Sequence, residues 1–218
     1  RNSYQSALGK YIAEKNKEKL NANFAKFEKV FWFLGTVSFS TCILLINPFV
    51  SLYTTGINDA NYFQPGFATI IVIANMLYVL REPYRLLILA AGKFRETNFG
   101  AIIEAVLNLS ISTLLVWKYG LIGVAIGTLI ATIYRMLYFV RYLSWNVLKK
   151  KYMTYIVYIL TSVSVLGINL IADSKLEINV ATVFDFCYYG LIVVLLNTVF
   201  YIAIFGVFKS LIKTLERR

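Results

Sequence analysis

Six long apolar stretches dominate this sequence. A helix that crosses the hydrocarbon core of a bilayer needs about 20 mostly apolar residues, because each residue adds about 1.5 Å. The stretches that reach this length cover approximately residues 30–52, 67–91, 99–116, 120–143, 152–171 and 184–208. The period-two alternation that marks the strands of a membrane barrel is absent. The sequence therefore predicts an all-α, polytopic transmembrane helix bundle with about six spans.

Composition narrows the chemistry available to such a chain. Hydrophobic residues make up 59% of it and its mean hydropathy is +0.66. It has no histidine, and its two cysteines, Cys42 and Cys187, both lie inside apolar stretches, which predicts no disulfide, metal site, haem or other cofactor. The net charge of +11 is divided among segments between apolar stretches, so no continuous basic face for nucleic acid is expected.

Basic residues predict the orientation of the spans. Lys and Arg collect in cytoplasmic loops, and here they alternate from one connecting segment to the next. The segments on one side carry Arg1, Lys10, Lys15, Lys17, Lys19, Lys26, Lys29, Lys93, Arg95, Arg141, Lys149, Lys150, Lys151, Lys209, Lys213, Arg217 and Arg218. The segments on the other side carry only Lys118 and Lys175. Both termini are therefore predicted to be cytoplasmic.

The segments outside the spans complete the predicted organisation. Leu20, Phe24, Phe27 and Phe31 recur at helical spacing among lysines, so residues 1–29 are predicted to form an amphipathic helix in the cytoplasmic interface, anchored on anionic lipid. Residues 30–208 would form the six-helix bundle and 209–218 a basic cytoplasmic tail. Because the chain opens at Arg1 with a polar segment, we expect its start to be a cut within a longer protein.

Five ionisable residues fall within the predicted spans: Arg81, Glu82, Arg85, Glu104 and Arg135. Such residues usually face a cavity or a partner, because a charge in hydrocarbon costs about 2.5–3.5 kcal/mol on insertion scales. From the cytoplasmic ends of their spans, Arg85 would lie about 9 Å deep and Arg81 about 15 Å deep. All five are thus predicted in the cytoplasmic half of the bilayer.

The surroundings of these charges leave two interpretations open. Pro83 interrupts the R-E-P-Y-R cluster and permits a kink, while Glu104, Asn108 and Ser112 recur every four residues and form a polar stripe. Internal ion pairing between helices is one interpretation. The other is a site for an anionic group that enters from the cytosol, such as a lipid pyrophosphate, because the arginines outnumber the glutamates.

Glycines predict where one helix approaches another. Gly123 and Gly127 form a G-x-x-x-G motif, with Gly120 about one turn earlier, and we expect all three to allow close helix packing. A histidine base, a nucleophile elbow and a glycine loop for phosphate are all absent from the sequence. An enzyme is therefore not expected.

Several local runs carry a family resemblance. They are S-A-L-G-K-Y-I-A-E-K-N-K-E-K-L at 6–20, N-M-L-Y-V-L-R-E-P-Y-R at 75–85, A-A-G-K-F-R-E-T-N at 90–98, I-I-E-A-V-L-N-L-S-I-S-T-L-L-V at 102–116, and K-Y-G-L-I-G-V-A-I-G-T at 118–128. In this order they resemble the C-terminal half of the polysaccharide flippases for O-antigen and capsule, within the multidrug/oligosaccharidyl-lipid/polysaccharide exporter superfamily. The last two spans match only in hydropathy.

The resemblance implies a function and a site. Members of the family move undecaprenyl-diphosphate-linked oligosaccharide across the bacterial cytoplasmic membrane by alternating access of two lobes, which makes this chain most of one lobe and the missing N-terminal lobe its partner. By position, Arg81, Arg85, Arg135, Glu104 and Asn108 would line the cavity. The arginines would bind the diphosphate, while Glu82 and Glu104 would balance them or couple transport to protons.

Two other classes of membrane protein predict different sequence features. A drug or ion antiporter of the same superfamily predicts acidic rather than basic cavity residues. A membrane glycosyltransferase or glycan polymerase predicts catalytic residues in long extracytoplasmic loops. The arginine surplus disfavours the first class, and the short, lightly charged loops disfavour the second.

Overall fold

The computed structural model describes residues 2–57, 59–148, 153–175, 180 and 182–215. Parts of several predicted loops and of the basic tail lie outside this range. They include the predicted cytoplasmic residues Arg1, Lys149, Lys150, Lys151, Arg217 and Arg218, and Glu177 of a predicted loop on the other side.

Eight α-helices account for most of the described residues. They are α1 (Asn2–Ala13), α2 (Lys17–Tyr53), α3 (Pro65–Leu80), α4 (Glu82–Ala90), α5 (Phe94–Tyr119), α6 (Leu121–Leu143), α7 (Met153–Lys175) and α8 (Val183–Leu215), with one π-helical turn, Ser144–Leu148, after α6.

The predicted fold class is confirmed. Within the described ranges there are no strands, and six helical segments are long and apolar enough to cross a membrane, with α3 and α4 together forming one of them. The protein is an all-α, polytopic membrane protein. Which membrane it occupies, and which side its ends face, stay predictions.

The N-terminal segment differs from the single amphipathic helix predicted over 1–29. It forms α1 and the first turns of α2, separated at residues 14–16, where Lys15 has a positive φ of 54°. Leu20 and Phe24 are buried within the protein, and the Phe24 ring packs edge-on against Tyr84 of α4 with 5.9 Å between the ring centroids. Part of the apolar face that predicted a lipid contact is thus covered by protein.

The chain divides into two compact units. The first contains residues 1–32 and 73–152, and the second residues 33–72 and 153–218. In the first unit α5 and α6 form an antiparallel hairpin, since Gly100 lies against Arg135 and Gly123 against Leu115. α4 packs against both α1 and α6.

In the second unit a buried polar network joins three helices. The Asn169 side-chain amide donates to Asn197 Oδ1 at 2.7 Å, and the Asn197 amide donates to Thr41 Oγ1 at 3.1 Å. Nearby, the Thr36 and Ser162 hydroxyls lie 2.7 Å apart. Interhelical hydrogen bonds of this kind hold helices together where lipid gives no hydrophobic driving force.

Replacing Asn197 by leucine is expected to lower the free energy of unfolding by about 1–2 kcal/mol, because buried partners on α7 and α2 both lose a hydrogen bond. Equilibrium unfolding in mixed micelles measures the change. Thr198→Ala is the matched control, since the Thr198 hydroxyl donates to the Val194 carbonyl of its own helix, and its cost should stay within about 0.5 kcal/mol. Equal costs for the two variants would argue against a stabilising network.

Candidate functional site

The predicted intramembrane charges all lie in the first unit, on three helical segments. Arg81 occupies the break between α3 and α4, and Glu82 begins α4 with Pro83 directly after it. The break is expected there, because Pro83 has no N–H to donate to the carbonyl of Val79. Helical hydrogen bonds still reach Arg81 from both sides, since its N–H donates to Leu77 and its carbonyl accepts from Arg85. The junction therefore changes the helix locally without unwinding it.

Glu104 is shared by two arginines. Its Oε1 pairs with Arg81 Nη1, and its Oε2 lies 3.5 Å from Arg135 Nε. The side chains of Arg81 and Arg135 are only 11% and 10% exposed, and that of Glu104 is 22% exposed. We call these three residues the shared-carboxylate cluster. It brings α5 and α6 together with the junction of α3 and α4.

Neighbouring groups fix the arginines of the cluster. Arg135 Nη1 donates to the Thr97 carbonyl at 3.0 Å, and its guanidinium lies 4.3 Å from the centre of the Phe139 ring. The Arg81 guanidinium lies 4.3 Å from the centre of the Tyr78 ring. These cation–π contacts partly replace the hydration that the arginines lose on burial.

Gly100 makes the room that Arg135 occupies. A Cβ at this position would come within 2.5 Å of Arg135 Nη1 and 2.8 Å of the Tyr138 ring. Neither Gly100 nor Thr97 was predicted from the sequence to belong to the site. For Gly100 a signal existed, because it lies four residues before Glu104 and so shares its helix face.

Arg85 and Glu82 form a separate pair. Arg85 Nε donates to both carboxylate oxygens of Glu82 at 3.0 and 3.1 Å, and its Nη2 donates to Oε2 at 2.9 Å. Both side chains are more exposed than Arg81, at 28% and 21%. The structure thus brings together three of the predicted residues and sets these two beside each other, on the same helix, three residues apart.

Asn108 continues the polar stripe of α5 into the interface with α6. Its Oδ1 accepts hydrogen bonds from the Ser112 hydroxyl at 3.0 Å and the Thr128 hydroxyl at 3.4 Å. The predicted stripe therefore exists and faces α6. In the structure Asn108 helps to join two helices, and its predicted role in substrate binding stays a prediction.

The glycines divide into two kinds. Gly123 and Gly127 are packed as predicted, because a Cβ on either would collide with the backbone of α5, at Leu115 and at Ser112. Gly120 corrects the prediction. It caps α5 with φ 56° and ψ −135°, and a Cβ on it would meet no heavy atom within 4 Å. Its role is the turn, which an L side chain adopts only with strain.

The charges of the site leave a positive surplus. In the shared-carboxylate cluster two guanidinium groups share one carboxylate, while Arg85 and Glu82 balance each other. Arg81 Nε is also buried without a hydrogen-bond acceptor in the described part of the chain. A buried donor and an unbalanced positive charge are the features that an anionic ligand would satisfy.

A metal site in the described part of the chain would require acidic or sulfur-containing side chains to lie close together. Among the described residues there is no group of three or more His, Cys, Asp or Glu side chains placed to hold a metal ion. Cys42 and Cys187 are free and exposed on the surface of the second unit. Comparisons with protein-family models, with curated proteins and with solved structures gave no match for this chain.

Proposed function

We propose that this chain belongs to a flippase that moves lipid-diphosphate-linked oligosaccharide across the bacterial cytoplasmic membrane for the synthesis of surface polysaccharide. The observation that carries the proposal is the shared-carboxylate cluster, in which Arg81 and Arg135 have one carboxylate between them and the buried Arg81 Nε–H has no acceptor among the described residues. The sequence runs that resemble polysaccharide flippases contain Arg81 and Glu104 and point the same way.

The chemistry of the cluster suits a diphosphate. Guanidinium groups bind phosphate oxygens through paired N–H donors, and such charge-assisted hydrogen bonds are about twice as strong as neutral ones. A diphosphate offers several oxygens, so it can engage Arg81 and Arg135 together where Glu104 now offers one oxygen to each. The surplus charge favours this anion over the cations and apolar drugs that an acidic cavity would select.

Glu104 would compete with the substrate for the same donors. Its two oxygens contact Arg81 Nη1 and Arg135 Nε, which are the donors that this proposal assigns to the phosphate. A bound diphosphate would displace the carboxylate from at least one arginine, and loss of the substrate would restore the internal pair. The glutamate would thus keep each buried arginine paired between transport cycles, when a buried charge without any partner would be costly.

The test is the amount of surface polysaccharide made by a host that depends on this protein for its synthesis. Arg81→Ala should abolish it, and Arg81→Lys, which keeps the charge but loses the guanidinium fork, should reduce it. Arg95→Ala is the matched control, because Arg95 is exposed near the start of α5 and should leave production unchanged. Membrane levels of each variant are measured in parallel, so that a loss of protein is not mistaken for a loss of transport.

A binding measurement distinguishes recognition of the diphosphate group from recognition of the lipid chain. The purified protein should bind undecaprenyl diphosphate and not undecaprenol, and Arg135→Ala should weaken binding by about tenfold or more, since a hydrogen bond to a charged group contributes about 1.5–3 kcal/mol. Equal binding of the alcohol and the diphosphate, together with normal polysaccharide in Arg81→Ala, contradicts the proposal.

A further inference from the structure

The α5–α6 hairpin carries exposed basic and aromatic side chains at the end where α5 begins and α6 ends. The Tyr138 hydroxyl donates to the Glu96 carbonyl at 3.3 Å, which joins the last turns of α6 to the first turn of α5. Because the helices are antiparallel, three residues forward on α6, from Tyr138 to Arg141, match three residues back from Glu96, to Lys93. Arg141 is therefore level with the start of α5. The basic residues predict that this end is cytoplasmic.

Arg141 lies over an exposed tryptophan. The centre of its guanidinium group is 4.4 Å from the centre of the Trp145 ring, and Trp145 is 60% exposed. This contact uses one face of the planar guanidinium group, whose N–H donors lie in the plane and point away from its edges. Among the described residues, no acidic side chain forms a salt bridge with Arg141. Its donors are thus available to an anion outside the protein.

The charges at this end of the hairpin are unbalanced. Lys93 and Arg95 are exposed at the start of α5, and Lys93 Nζ lies 2.8 Å from Glu96 Oε1. Glu96 is the only acidic residue in the first two turns of α5, and α6 contains none. With Arg141, three basic side chains stand against one carboxylate, which leaves a surplus of two positive charges.

Exposed aromatic rings accompany these charges. Phe94 and Phe99 on the first turns of α5 are 63% and 66% exposed. Aromatic and long basic side chains together are typical of the membrane interface, where the rings lie at the level of the lipid headgroups and the basic groups reach the phosphates. The segment predicted to contact anionic lipid, residues 1–29, has part of its apolar face covered by protein. The start of α5 and the end of α6 offer a different surface for the same kind of lipid.

We propose that Arg141 and Trp145, together with Lys93 and Arg95, form a binding site for the headgroup of an anionic phospholipid. Arg141 holds the phosphate oxygens through its in-plane N–H donors, and Trp145 packs beside the headgroup. Lys93 and Arg95 add attraction for the negative charge. Charge complementarity selects this occupant, because a zwitterionic lipid brings a positive group that the surplus repels. The site stands independently of the function proposed above.

Trp145 can report on the bound lipid, because brominated acyl chains quench the fluorescence of tryptophans close to them. The full chain with Trp117→Phe is reconstituted in phosphatidylcholine nanodiscs that contain a small, equal fraction of either brominated phosphatidylglycerol or brominated phosphatidylcholine. We expect quenching to show a preference of about tenfold or more for the anionic lipid, because each basic residue near it contributes a factor of about five. The buried Trp32 adds the same background to both measurements.

Trp117 is the matched reporter at the opposite end of the hairpin. It is 86% exposed and precedes Lys118, the only basic residue from 96 to 134. The chain with Trp145→Phe retains this tryptophan. Because one ammonium group attracts an anionic headgroup less than a surplus of two charges with a guanidinium fork, the preference at Trp117 should be clearly smaller than that at Trp145.

Two variants of the Trp145 reporter decide the assignment. Arg141→Ala should lower the preference for phosphatidylglycerol about fivefold, and it should fold, since Arg141 is exposed. Comparing two lipids within one variant cancels any direct effect of the arginine on Trp145 fluorescence. Lys209→Ala removes an exposed basic residue of the second unit and should leave the preference unchanged. Equal preferences at Trp145 and Trp117, an unchanged preference in Arg141→Ala, or an equal fall in Lys209→Ala overturns the proposal.

Discussion

Glu104→Ala is expected to lower the free energy of unfolding by about 3–5 kcal/mol, because it leaves two buried arginines without their shared carboxylate. Their remaining contacts, with the Thr97 carbonyl and the rings of Tyr78 and Phe139, are weaker than an ion pair. Equilibrium unfolding of the purified chain in mixed micelles measures the loss.

Glu82→Ala is the matched control for this prediction. It also removes a glutamate from an arginine, but that pair is partly exposed and lies within one helix. Such pairs contribute about 0–1 kcal/mol, since water can replace the lost partner. If Glu82→Ala and Glu104→Ala cost the same, the shared-carboxylate cluster does not stabilise the first unit in the way described.

The triple variant Arg81→Met, Glu104→Leu, Arg135→Met separates stability from function. Apolar replacement of a complete buried ion cluster is often neutral or stabilising, so this variant should recover most of the stability that Glu104→Ala loses. It should nevertheless bind no diphosphate. Such a result would mean that the charges are needed for binding and not for stability, because apolar residues at these positions would stabilise the fold equally well.

The sequence predicted the spans well because hydropathy is local. Twenty apolar residues in a row exclude most other structures, whatever surrounds them. Pro83 likewise interrupts its helix near the predicted place, because its ring and its missing N–H act on the adjacent turn. These features depend on neighbours in the chain and need no knowledge of the packing.

Pairing within the site could not be predicted in the same way. The sequence offers two glutamates in the spans, Glu82 and Glu104, and three arginines, but which glutamate serves which arginine depends on how α5 and α6 pack against the junction. Glu28 shows the limit more sharply. It is completely buried although its local sequence is that of a polar surface segment, and its Oε1 accepts a hydrogen bond from Tyr84 of α4, 56 residues away.

Glycines show how equal spacing can hide different roles. Gly120, Gly123 and Gly127 follow one another at three and four residues, which predicted a continuous packing face. Whether a glycine packs against a neighbouring helix depends on the position of that helix and on the φ of the glycine. The spacing of glycines in the sequence determines neither. The backbone of α5 closes on Gly123 and Gly127, while Gly120 lies at the end of the hairpin.

Gly127→Ala is expected to lower the free energy of unfolding by about 2–3 kcal/mol, the upper range for an overpacked site. The new Cβ would lie 2.7 Å from the Ser112 backbone nitrogen and 3.0 Å from its Cα. A side chain could rotate away, but backbone cannot, so α5 and α6 must separate. The same unfolding assay in mixed micelles measures the change.

Gly206→Ala is the control, because it makes the same chemical change inside α8 where a Cβ would meet nothing within 4 Å. Alanine is favoured over glycine inside a helix by about 0.8–1.0 kcal/mol, so this variant should be more stable than the parent. The two substitutions should thus have opposite signs. A gain in stability for Gly127→Ala would mean that α5 and α6 are not held at the distance described.

The separation of α5 and α6 in Gly127→Ala should also weaken the contact between Glu104 and Arg135. Arg135 lies eight residues, or about two turns, beyond Gly127 on α6, and Glu104 lies eight residues before Ser112 on α5. Moving the two helices apart therefore lengthens the contact between Glu104 and Arg135, which is already 3.5 Å. Gly127→Ala should then weaken the same ion pair that Glu104→Ala removes. The double variant should therefore lower the free energy of unfolding by less than the sum of the two single variants. Strict additivity would show that the glycine contact and the shared-carboxylate cluster are independent.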